Sequence, residues 1–154
     1  MCGLPGAGKT TIARQVEAET RAIRFCADEW MAVLGLDYYD DNELRHRLSP
    51  RLDRLWRDVL VGGLSVILED GTWQRAERDD LRNFAAASGA VTELHYFDIP
   101  FDDLWRRLEA RNASLPWGTA PISYEVLIDC WNRRFERPDA AELALFDHLV
   151  VHTV

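Results

Sequence analysis

The stretch "MCGLPGAGKTT", residues 1–11, decides the fold. Gly3, four intervening residues, then Gly8, Lys9 and Thr10 reproduce the Walker A spacing of a phosphate-binding loop. Glycines at these steps let the chain curl tightly, so that main-chain N–H groups of the loop and of the following helix converge on one anion. The next residues supply that helix: Ile12, Ala13 and Val16 put apolar side chains on one face, and the pattern runs to about Thr20. Gly3, Leu4, Pro5, Gly6, Ala7, Gly8, Lys9, Thr10 and Thr11 are therefore expected to cradle the phosphates of a nucleoside triphosphate. Within that cradle Lys9 pairs with the β- and γ-phosphates and the Thr10 hydroxyl binds Mg²⁺.

Composition limits what surrounds the loop. At 154 residues, 47% hydrophobic and 29% charged, the chain reads as one domain over 1–154 with a single core. No apolar run approaches the roughly 20 residues needed to span a bilayer. No basic start leads into an apolar stretch with a small-residue cleavage site, so a cytoplasmic protein without membrane contact is expected. Cys2, Cys26 and Cys130 show neither a C-x-x-C pair nor a histidine at metal spacing, and read as buried thiols. A net charge of −8, from 26 acidic against 18 basic residues, gives a mean field that repels polyanions and argues against a long nucleic-acid partner.

Apolar runs at residues 22–26, 64–68, 91–97 and 149–151 read as short strands, with helical periodicity between them. The architecture expected is α/β with a parallel sheet. Asp40 with Glu43 forms a capping-box pattern ahead of Leu44, Leu48, Leu52, Leu55 and Val59. Pro50 inside that run predicts a kink or two abutting helices, ending near Gly62 and Gly63. A helix over residues 74–88 stops at Gly89, Asp102 caps one through Arg111, and Ser123 caps another through about Phe135. Residues 112–122, with their prolines, have the composition of a lid.

In an open parallel sheet, ligands gather beyond the strand C-termini, and two aspartates follow strands there, Asp28 and Asp70. One would accept the proton of an attacking hydroxyl while the other orients metal-bound water. Asp28 is assigned to the proton, over simple helix capping. Asp70, in "VILEDGTW", stands evenly between a metal role and a strand-end turn, with Glu69 an undecided neighbour. Arg107 and Arg111, four apart, share a helix face and would clamp a transferring phosphoryl group, the alternative being a solvated face. Trp73, Arg75 and Arg78 are candidates for the acceptor, against core packing for the tryptophan and surface ion pairs for the arginines. His46, His95, His148 and His152 lack metal-like spacing and read as structural or surface residues.

On these residues the chain resembles the P-loop kinases grouped as AAA_33-type or zeta-toxin-like, related to chloramphenicol phosphotransferase and the kinase domain of polynucleotide kinase. The resemblance spans essentially the whole chain, through "GLPGAGKTT", "CADEWM", "VILEDGTWQRAERDDLRNFAAASGA", "RRLEARN" and "FERP". It implies a P-loop NTPase three-layer sandwich with a lid and a five-stranded parallel sheet in order 2-3-1-4-5. It also implies an acceptor-positioning Asp28, lid arginines at Arg107 and Arg111, with Arg111 touching the nucleotide, and Pro138 in the loop beside the base. In such a fold the strand before the loop is central, and this chain supplies only Met1 and Cys2 of it. The expectation is a natural product starting several codons upstream, which the intact mass of protein from its native source tests.

The activity expected is Mg²⁺-assisted transfer of the γ-phosphoryl group of ATP to a hydroxyl of a small molecule. Two alternatives stand beside it: an ATP-binding or slowly hydrolysing regulator with no acceptor, and a nucleic-acid 5′-hydroxyl kinase, which the acidic balance opposes. No motif identifies the acceptor.

Overall fold

The computed structural model describes residues 1–34, 42–115 and 121–153. The Asp40 end of the expected capping box, and residues 116–120 of the expected lid, lie outside these. Helices α1 (Lys9–Thr20), α2 (Ala27–Val33), α3 (Asn42–Val61), α4 (Arg75–Ala87), α5 (Phe101–Asn112), α6 (Tyr124–Asp129) and α7 (Ala140–Leu143) alternate with strands. The strands are β1 (Ile23–Phe25), β2 (Val66–Leu68), β3 (Glu93–Phe97) and β4 (His148–His152), and a π-helical turn, Cys130–Arg134, continues α6. Both strand pairs are parallel: Ile23 of β1 lies opposite Val66 of β2, and Glu93 of β3 opposite His148 of β4. β3 is the best covered of them, with Leu94, Tyr96 and Phe97 in the core, whereas β4 keeps Leu149, Val150 and Val151 exposed.

Residues 1–3 run between the two pairs. The Met1 ammonium donates to the Leu68 carbonyl at 2.9 Å and the Gly3 N–H to the Gly71 carbonyl at 3.1 Å. On the other side the Cys2 N–H donates to the His95 carbonyl at 2.8 Å, and the Phe97 N–H to the Cys2 carbonyl at 2.9 Å. Main-chain bonds to both neighbours thus fix the base of the phosphate loop at the C-terminal ends of β2 and β3. A groove of about 590 Å³ continues the same line back between these strands, lined among others by Val16, Trp56, Ile67 and Leu94. Neither Lys9 nor Thr10 lines it.

The main core gathers Cys2, Leu4, Leu94, Tyr96, Phe97, Leu104, Leu108, Leu127 and Phe135, and a smaller cluster joins Ala13, Ala22 and Ile67. All three cysteines are free and buried, as their spacing suggested, and burial pushes the Cys26 thiol up to about 12.

Three helix expectations need correction. Pro50 lies inside a single helix, α3, which rules out two abutting helices; its ring removes the N–H that the His46 carbonyl would accept, and both residues are exposed. Asp102 is not the cap of α5, which starts after Pro100, and instead sits with Asp103 in the first turn, where negative charge favours the helix dipole. Ser123 does cap α6, accepting from the Val126 N–H. The α-helix gives way at Cys130, however, to the π-helical turn, where Arg134 donates to Asp129 at 2.7 Å.

One glycine of the loop is fixed by both conformation and space. Gly6 has φ +81°, and a Cβ there would lie 2.9 Å from Leu108 Cγ. Gly6→Ala is expected to lower stability by about 1–3 kcal/mol, read by urea unfolding; a change inside experimental error would show that α5 can yield at this contact.

Candidate active site

Lys9 opens α1 directly behind Gly8, whose φ of 94° turns the chain into the helix. The first turn of any helix presents N–H groups with no intrahelical acceptor, and Gly8 offers no side-chain cap to them. Lys9 Nζ donates to the Gly3 and Leu4 carbonyls, both at 3.0 Å. Desolvation holds its ammonium below the ordinary lysine range, while the Asp28 and Glu69 carboxylates pull the other way. The result is a poorly hydrated cation resting on loop carbonyls, able to exchange them for phosphate oxygens.

The two acids after β2 separate. The Thr10 hydroxyl donates to Glu69 Oε1, and Arg24 Nη1 donates to Glu69 Oε2 at 2.5 Å. Asp70 turns toward α2, where its Oδ1 accepts the Ala27 N–H at 3.0 Å, so it ties down the start of the helix that carries Asp28. Consecutive residues leaving a strand point to opposite faces, so 69 and 70 do not both address the loop. Which one does depends on where the strand ends, and that the sequence leaves open.

A hydroxyl and a carboxylate are hard oxygen donors that suit Mg²⁺, an ion commonly shared with substrate phosphates and waters. Among the described residues no group of three or more His, Cys, Asp or Glu is arranged for a metal, and the Thr10–Glu69 pair sets one hydroxyl and one carboxylate together at the loop. Glu69→Gln is expected to weaken the Mg²⁺-dependent gain in ATP affinity about tenfold, measured by calorimetry with and without the ion. An undiminished gain would return the metal role to Asp70.

Asp28 stands exposed in the first turn of α2, close enough to Lys9 to act on its charge. From the opposite side α5 crosses over the loop, and Arg107 Nη1 donates to the Ala7 carbonyl at 3.5 Å. Arg111 follows one turn later on the same helix. Lys9, Thr10, Glu69, Asp28 and Arg107 therefore surround one loop, delivered by α1, β2, α2 and α5.

The acceptor candidates Trp73, Arg75 and Arg78 are each engaged by other parts of the protein. Trp73 packs on the main core and its indole Nε1 donates to the Gly3 carbonyl at 3.1 Å, bracing the loop. Its neighbour Gly71 is forced by that contact, because a Cβ at φ +89° would meet the indole nitrogen at 2.7 Å. Arg75 pairs on the surface with Asp139 at 3.4 Å and Asp79 at 3.8 Å. Arg78 is 1% exposed. It donates to both Glu142 oxygens, at 2.5 and 3.1 Å, and to the carbonyls of Thr72, Trp73 and Glu136. Those five bonds match the five donors of a guanidinium, so the acceptor role expected of Arg78 is corrected to a structural one. Pro138 is buried, next to Arg137, whose guanidinium stacks 3.8 Å above the Trp131 ring.

Residues 1–127 match the family model AAA_33, described as an AAA domain. Among solved structures, a "putative kinase" from Chloroflexus aurantiacus J-10-fl is similar, with a TM-score of 0.72 and 19% sequence identity over 99% of this chain and 84% of that chain. At that identity the likeness is one of fold. No curated protein matches.

Proposed function

Because the chain belongs to the AAA_33 family, we propose that it is a P-loop kinase that moves the γ-phosphoryl group of ATP to a hydroxyl of a small molecule. The observation that carries this reading is the convergence on one loop of a desolvated lysine, a hydroxyl–carboxylate pair and an exposed aspartate on a separate helix. A regulator that only holds nucleotide has no use for the aspartate. The kinase description of the structural neighbour points the same way. The strand pairs β1–β2 and β3–β4, with residues 1–3 between them, support the sheet order 2-3-1-4-5, in which the strand leading into the loop is counted first and β1 to β4 are second to fifth. The reading includes one domain over 1–154, Pro138 near the base, and Arg107 with Arg111 over the phosphates.

Catalysis is then mostly positioning and charge neutralisation. Loop N–H groups and Lys9 hold the β- and γ-phosphates, and Lys9 leaves the Gly3 and Leu4 carbonyls to do so. Thr10 and Glu69 would hold Mg²⁺, which would supply charge neutralisation at the phosphate oxygens. Asp28 accepts the proton of the attacking hydroxyl as its oxygen bonds to the γ-phosphorus. The bond to the β–γ bridging oxygen breaks, and ADP leaves. Arg107 and Arg111 offset charge on the phosphoryl group in flight.

A screen of small hydroxyl compounds for ATP consumption above background, with the phosphorylated product identified by mass and Lys9→Ala as negative control, tests the proposal. Mg-ATP binding without any acceptor-stimulated turnover would favour the regulator. Absence of Mg-ATP affinity would remove both readings.

A further inference from the structure

Arg24 lies in the middle of β1, and its side chain is 10% exposed. Its guanidinium meets carboxylates from three other elements: Nε donates to Glu17 of α1 at 3.2 Å, Nη1 to Glu69 after β2 at 2.5 Å, and Nη2 to Glu29 of α2 at 2.5 Å. Glu69 passes the connection to Thr10 through its other oxygen. Glu29 is the residue after Asp28 in the first turn of α2. One planar cation therefore spans the metal side of the loop and the helix that presents the aspartate.

We propose that Arg24 is a positioning residue that couples the two halves of the site: it aims the Glu69 carboxylate at Thr10 and, through Glu29, fixes the turn of α2 that carries Asp28. Its functional meaning rests on the kinase reading above. The Glu69 side chain is 4% exposed, and burying a carboxylate to that degree is costly unless a countercharge with good geometry compensates it. Each of its oxygens has one donor, from opposite sides, which fixes the plane of the group. Burial works against ionisation of Glu29, yet hydrogen bonds from Arg24 and Arg14 outweigh it and hold the group below the usual carboxylate range. Without Arg24, the Glu69 and Glu29 carboxylates would lose the cation between them. A lysine at this position, a point charge without the forked geometry, would not hold both.

Two readouts test the coupling, the second independent of turnover. The first is the ratio of ATP affinities with and without Mg²⁺ by calorimetry; the second is amide hydrogen exchange of residues 27–33 in nucleotide-free protein. Arg24→Met is expected to cut the Mg²⁺ ratio about tenfold or more and to speed exchange in α2 about tenfold or more. Metal-free ATP affinity should change little. Glu29→Gln cuts one arm, and should speed exchange in α2 with the Mg²⁺ ratio kept. Glu17→Gln, which touches neither arm, should leave both readouts within about twofold of wild type. If Arg24→Met does not fold, Arg24→Lys is read by the same measurements and must move at least one of them about tenfold. Wild-type exchange in α2 in Arg24→Met, or wild-type values of both readouts in Arg24→Lys, overturns the proposal. Wild-type protein with no Mg-ATP affinity would instead overturn the kinase reading, and the nucleotide-free exchange would still decide for or against Arg24.

Discussion

Asp28→Asn lowers kcat for phosphoryl transfer by about 10²- to 10⁴-fold and leaves ATP binding nearly intact. The substitution preserves size and hydrogen-bonding reach, so the first turn of α2, anchored by Asp70 on the Ala27 N–H, keeps its place. What disappears is the ability to take a proton from the attacking hydroxyl. Lys9 also loses one of the two carboxylates that oppose its desolvation, so its ammonium holds its proton less firmly, but Glu69 remains. The phosphate cradle is thereby spared while the chemical step is not, and KM for ATP and kcat should separate. Steady-state kinetics with calorimetry checks the split. Full turnover in the variant would remove Asp28 from catalysis, and an equal loss in affinity and turnover would make it part of the nucleotide cradle.

How far the sequence could be read depended on whether a feature is local. The loop and α1 were legible because glycine spacing and an adjacent apolar stripe are local properties, and Lys9–Thr20 is helical as the pattern required. Apolar runs located the four strands of the described residues, within two residues at each end, because a short apolar run bounded by helical periodicity is a local signal. Gly89 was readable as a helix stop, and it has φ +72°. Helix α7 was missed although its cap is local: Asp139 accepts the Glu142 N–H, a capping pattern like that of Asp40 and Glu43, but four residues are too few to show helical periodicity.

The site divides along the same line. Lys9, Thr10 and Asp28 could be placed from motif and strand order. Glu69 could not, because a one-residue difference in where β2 ends exchanges its direction with that of Asp70. Arg24 was invisible as a site residue, since nothing in "AIRFCADEW" shows that carboxylates 7, 5 and 45 positions away will meet it. Arg78 misled for the opposite reason. An arginine just past a candidate site looks available until the fold delivers Glu142 from 64 residues later.

That pair carries the largest stability effect expected in the molecule. Arg78→Met should destabilise the fold by about 3–5 kcal/mol, because it leaves the Glu142 carboxylate, 1% exposed, buried without its countercharge. Three carbonyls also lose their donor: those of Thr72 and Trp73 beneath the phosphate loop, and that of Glu136 in the segment leading to α7. Thr72 holds φ +34°, outside the usual range for a side-chain-bearing residue, and its hydroxyl donates to the Met1 carbonyl at 3.1 Å. A turn held in that state needs its surroundings to over-determine it, and Arg78 supplies two of the bonds that do so. The double variant Arg78→Met with Glu142→Gln removes the stranded charge and should recover part of the loss, leaving the cost of the unpaired carbonyls. Urea unfolding of the two single variants and the double measures the coupling. A single-variant loss below about 1 kcal/mol would mean that the pair is no stronger than an exposed one, and the turn under the loop would then owe its geometry to Gly71, Trp73 and the Thr72–Met1 bond.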